Sequence, residues 1–144
     1  MKSTPFPLRH LAAWGCLLTL PLSLCTTAAT PTSGFHSGNP GIKSISQLAF
    51  GPEGILFVAD SKAAAVVALD TGDVRPRPKG RPLKVEGLGE KIAALLGTRP
   101  ADVLIDDLAV NPISHQAYLA VSRGRGPTAI PTLIRVNAEG QLEL

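Results

Sequence analysis

The chain has 144 residues, 14 Lys and Arg against 11 Asp and Glu, a formal net charge of +3 and only two cysteines. That length suits one domain and not two. Both cysteines, Cys16 and Cys25, fall in the first 25 residues, so the remainder has no disulfide framework.

The first segment reads as an export signal. Lys2, Arg9 and His10 precede an apolar run, Leu11 to Leu24, and the small-residue stretch "CTTAAT" follows. Charged start, apolar middle and small-residue exit predict a secretory signal peptide over residues 1–29, cut after Ala28 or Ala29. A bilayer span needs about 20 apolar residues. This run is shorter and is broken by Pro21. No stable membrane span is expected after cleavage, and the protein is expected to be periplasmic or extracellular. A lipoprotein would use Cys25, but Leu24 before it is not the small residue such a site requires. Cleavage removes Lys2 and Arg9 and leaves 144 − 29 = 115 residues with 12 basic and 11 acidic side chains. A charge of +1 implies no nucleic-acid or anionic-membrane partner.

Residues 30–41 ("TPTSGFHSGNPG") are rich in Pro, Gly, Ser and Thr and predict a disordered leader. Residues 42–74 then read as a three-stranded meander. "SQLAF" is the first strand, "GPEG" a turn with Pro52 at its second position, "ILFVAD" the second strand, "SKAA" a turn and "AVVALD" the third. The strands are apolar without alternation. Such runs predict sheets covered on both faces. Small meanders stacked face to face around an axis are propeller blades. Asp60 and Asp70, at the strand ends, read as turn caps.

Residues 75–101 interrupt the pattern. Val74 to Glu86 carries Arg75, Arg77, Lys79, Arg81 and Lys84 with three prolines, and predicts an extended surface loop. The cations either solvate that loop or meet an acidic polymer. No aromatic residue interleaves them, as nucleic-acid stacking would need. Glu90 to Leu96 predicts a short helix with Ile92, Leu95 and Leu96 on one face and Gly97 as its stop.

Residues 102–144 repeat the meander: "VLIDDLAV", the turn "NPISHQ", "AYLAVS", "TLIRVN" and the turn "AEG". Leu108-Ala109 matches Leu48-Ala49 at an offset of 60, Pro112 matches Pro52, and "VNAEG" matches "LDTG". "QLEL" reads as the place where a next strand would begin.

The stretch "LAFGPEGILFVADSKAAAVVALDTGD" resembles the blade pattern of secreted NHL-repeat and gluconolactonase-like six-bladed β-propellers. The resemblance covers Ser44 to Asp73 well and Asp106 to Gly140 moderately. It implies an all-β fold: a partial β-propeller of two antiparallel meander blades (42–74 and 102–144, the second truncated) with one short inserted helix. Two blades do not close a ring, so the expectation is a fragment of a longer protein, a truncated gene, or a subunit that closes by self-association. The family also implies a divalent metal at the channel mouth, held at the starts of inner strands. Asp106 falls where the family carries Asn, whereas Ser46-Gln47 stands where it carries Glu. Asp106 and Asp107 are therefore the metal candidates, for Ca²⁺ or another divalent cation. The bland reading has them satisfying backbone donors at a strand entry. No other cofactor is expected.

"SRGRGPTAIP" places Arg123 and Arg125 on a Gly-rich loop, candidates for gripping a small anionic ligand bidentately. The plainer reading is a tight irregular loop. His36 and His115, with no cysteine after the signal, make no zinc pattern. No Gly-x-Ser-x-Gly elbow is present, and Ser114-His115 is a turn dipeptide. The expected function is an exported, non-enzymatic binding or scaffold module with an unidentified protein or small anionic ligand as partner. The alternative is part of a metal-dependent lactonase- or esterase-like propeller hydrolase.

Overall fold

A computed structural model describes residues 32–78 and 82–144. The predicted signal peptide, with Cys16 and Cys25, lies outside the described residues, as do Lys79, Gly80 and Arg81. Residues 32–41 form a turn and irregular chain; Phe35 to Pro40 run beside the third strand. Among the described residues no helix is long and apolar enough to cross a membrane.

The fold is mostly β. Strands β1 (Gln47–Phe50), β2 (Ile55–Asp60) and β3 (Ala65–Asp70) form a three-stranded antiparallel sheet in the order β1-β2-β3. Helix α1 (Leu88–Leu96) follows. Strands β4 (Val103–Val110), β5 (Ala117–Arg123), β6 (Ile130–Val136) and β7 (Leu142–Glu143) form a four-stranded antiparallel sheet in that order. The two described sheets are open and do not pair with each other. In "QLEL" the structure has a strand, β7, whose Leu142 and Glu143 pair with Val136 and Arg135.

The turn chemistry explains the first hairpin. Glu53 and Gly54 both take left-handed backbone, at φ 54 and φ 73. A Cβ on Gly54 would sit 3.1 Å from the Asp73 carbonyl oxygen. The Gly54 carbonyl in turn accepts the Thr71 hydroxyl at 2.7 Å. In the second sheet a bulge between Ile105 and Asp107 leaves Asp106 without a ladder partner.

Three layers result. Leu48, Leu56 and Val58 of the first sheet pack on Tyr118 and Ala120 of the second, with Phe50, Val67, Leu69, Ala109 and Leu133 around them. Phe50 and Tyr118 meet edge to face, centroids 5.1 Å apart. The far face of the second sheet packs Leu119, Val121, Ile134 and Val136 on Ile92 and Leu96 of α1. Strand β5 is therefore buried on both faces, as its unbroken apolar run implies. α1 lies between the meanders in the chain but on the outside of the second sheet in space.

The first sheet departs from that expectation. Its back face is open: Phe57 is 38% and Val66 71% exposed. The helix also differs in detail. It starts at Leu88 and buries Ile92, Ala93 and Leu96, while Leu95 is 37% exposed. Gly97 ends it as expected, at φ 62, with its N–H directed to the Ala93 and Ala94 carbonyls.

The repeat is visible in register. Leu48 pairs with Val58, and Val58 with Val67. Leu108 pairs with Leu119, and Leu119 with Ile134. Equivalent residues face the same way in both sheets, so the first sheet stacks on the second as α1 does in turn.

Candidate functional site

A polar cleft of about 280 Å³ opens between the two sheets. One wall is the entry to β1 and the exit of β2. Asp60, the last residue of β2, is buried and accepts three bonds: the Lys43 N–H at 2.6 Å, the Ala63 N–H at 3.1 Å and the Ser44 hydroxyl at 2.8 Å. Burial alone would raise the Asp60 pKa. The Lys43, Ala63 and Ser44 backbone groups and the Ser44 hydroxyl outweigh it and hold the carboxyl below its ordinary value. Asp60 thus stays ionised and fixes Lys43, Ser44 and the β2–β3 turn. Ser44 also accepts the Lys62 N–H at 3.0 Å, and its hydroxyl meets that of Ser61 at 3.2 Å.

The other wall belongs to the second sheet. Asp106, freed from the ladder by the bulge, accepts the Ser122 hydroxyl at 2.7 Å. The Lys62 ammonium bridges the walls, donating to the Pro127 carbonyl at 3.2 Å. The result is one acidic residue (Asp106), two lysines (Lys43 and Lys62) and the serines Ser44, Ser46, Ser61 and Ser122 lining one concavity. This arrangement can hold a small polar molecule by charge and hydrogen bonds at once.

Ser46 and Asp106 stand at the same position of the two repeats, and both line the cleft. Asp107 does not join them. Its carboxylate turns to the first sheet and accepts the Leu48 N–H at 2.7 Å. The two aspartates therefore serve separate partners. No three His, Cys, Asp or Glu side chains converge among the described residues.

The two arginines are also apart in their contacts. Arg123 donates to the Leu96 carbonyl at 3.2 Å, closing the C-terminus of α1. Arg125 donates through Nε and Nη2 to the Ala101 carbonyl at 2.9 and 2.5 Å. Each guanidinium is engaged by a different backbone carbonyl, and they do not converge on one anion position. His115 is exposed with a left-handed backbone at φ 59, while Ser114 is buried.

Sequence reasoning missed one buried constellation. The Asp73 carboxylate, just after β3, accepts Gln116 Nε2 at 2.8 Å, Asn111 Nδ2 at 3.1 Å, Tyr118 Oη at 3.2 Å and the Ser114 hydroxyl. Asn111 Nδ2 also donates to the Asp73 carbonyl at 2.7 Å. Burial is the largest influence on Tyr118 and raises its pKa, and the Asp73 charge adds to the rise. The network pins the end of the first meander to the β4–β5 hairpin. Its members are 38 to 45 residues from Asp73 in sequence, so no local spacing announces it. Lys43 and Lys62 were missed for the same reason.

No protein-family model, no curated protein and no solved structure matches this chain.

Proposed function

We propose that this chain is an exported, non-enzymatic binding module of the β-propeller type, with its ligand site in the polar cleft between the two sheets. The propeller reading is supported by two meanders stacked in the same sense, with β1 and β4 adjacent at their free edges. Export is supported by the amino-terminal sequence alone. The observation that carries the binding reading is that repeat-equivalent Ser46 and Asp106 line one cleft with Lys43 and Lys62.

The charge pattern selects a small carboxylate that also carries a hydroxyl or amine. Lys43 and Lys62 meet the carboxylate, and Asp106 accepts the donor. The test is calorimetric titration of the folded chain with a panel of hydroxy- and amino-carboxylates. One member is expected to bind saturably, and Asp106→Asn and Lys43→Ser are each expected to weaken it about tenfold. A panel with no binder, or binding that both variants leave unchanged, overturns the reading.

A further inference from the structure

We propose that α1 is an intramolecular plug: it occupies a face built to receive the first sheet of a second copy of this chain, and its release allows head-to-tail stacking. This is independent of the cleft and its ligand.

The repeat register carries the argument. The first sheet's front face is taken by the second sheet's near face, which presents Ala109, Tyr118, Ala120 and Leu133. The ladders place Ala49 equivalent to Ala109, Phe57 to Tyr118, Ala59 to Ala120 and Val66 to Leu133. Those four residues of the first sheet form its open back face. The back face is thus chemically a second edition of the surface that already docks inside the molecule.

Its complement exists as well. The front-face residues Leu48, Val58 and Val67 are equivalent to Leu108, Leu119 and Ile134 on the far face of the second sheet. There α1 covers Leu119 and Ile134 with Ile92 and Leu96. It does not complete the cover. Leu108 and Val110 are 54% and 51% exposed beside a groove of about 760 Å³, whereas Leu48, the equivalent of Leu108, is 9% exposed under the second sheet. α1, with Val85 of the segment before it, covers only the β5–β6 part of a surface that a three-stranded sheet would cover whole.

Each copy therefore holds one open face and one plugged complement. Contacts between different faces propagate, into a ring or an open filament. The plug keeps the two from meeting.

The test is light scattering after size exclusion on the full chain, with far-UV circular dichroism on the same peaks. The parent chain is expected at monomer mass. Ile92→Asp is expected to release α1 and at least double the mass, rising with concentration. Lys91→Gly with Ala94→Gly, both exposed positions, weakens the helix without touching either face and is expected to do the same; it decides the matter if Ile92→Asp does not fold. Adding Phe57→Lys and Val66→Lys to either release variant is expected to restore monomer mass. A parent chain that already assembles, folded release variants that stay monomeric, or assembly that survives Phe57→Lys with Val66→Lys overturns the proposal.

Discussion

Leu48 and Asp107 join the two sheets by a backbone-to-side-chain hydrogen bond, the Leu48 N–H donating to Asp107 Oδ2 at 2.7 Å. β1 is an edge strand, and an edge N–H facing a neighbouring sheet must find an acceptor or lose its solvation. Asp107→Ala removes the acceptor from a partly buried, charge-assisted bond. It is expected to cost about 1–3 kcal/mol, read as a lower urea midpoint with unchanged slope. Asp107→Asn keeps an acceptor and is expected to retain most of the stability. Equal losses in both variants would mean that charge, not pairing, is what matters.

Asp73 is a larger stake. Asp73→Ala would leave Asn111, Ser114, Gln116 and Tyr118 without their shared acceptor inside the protein. Each unsatisfied buried group costs about 1–3 kcal/mol, so the chain is expected to lose cooperative unfolding. Tyr118→Phe removes one donor of four and keeps the ring against Phe50. It is expected to cost about 1 kcal/mol. Cooperative unfolding in the Asp73 variant, seen by calorimetry, would count against the network.

Two groups set opposite pH limits. The Asp60 carboxyl titrates below its ordinary value of 3.8 in the folded state. Its stabilisation is fully present above the unfolded value and is lost as pH falls through the lower folded value. Tyr118 is raised above 10.0, first by burial. Its contribution is present below the unfolded value and lost as pH rises through the higher folded one. Asp60→Asn is expected to flatten the acid limb of stability against pH, and Tyr118→Phe the alkaline limb. Thermal melts across the pH range check both, and an acid limb that Asp60→Asn leaves intact would refute the first.

The β1–β2 turn offers changes of opposite sign. Glu53 holds φ 54, a region that costs a residue with a Cβ about 1–2 kcal/mol. Glu53→Gly relieves this at some expense in unfolded-state entropy, for an expected net gain of about 0.5 kcal/mol. Gly54→Ala meets both the left-handed φ of 73 and the Asp73 carbonyl at 3.1 Å. A loss of about 2 kcal/mol is expected. Chemical denaturation of the two variants side by side reads both.

The amino-acid sequence by itself determined the strands, the turns and the repeat. Those depend on neighbours: Pro52 sets a turn, Gly97 stops a helix, and apolar runs such as "AYLAV" demand cover on both faces. The offset of 60 also put Ser46 and Asp106 in equivalent positions before any contact was visible. Only the tertiary structure decided what supplies that cover. For β5 it is a sheet on one side and α1 on the other, while Phe57 and Val66 on the back of the first sheet stay 38% and 71% exposed. The same holds for partners. Arg123 and Arg125 look alike on one loop, yet one meets the end of α1 and the other Ala101. Asp106 and Asp107 are neighbours, yet a bulge turns one to the cleft and leaves the other to the Leu48 N–H. Side-chain direction at a bulge, and hydrogen bonds across some 60 residues, arise from the packing of whole sheets and have no local signature.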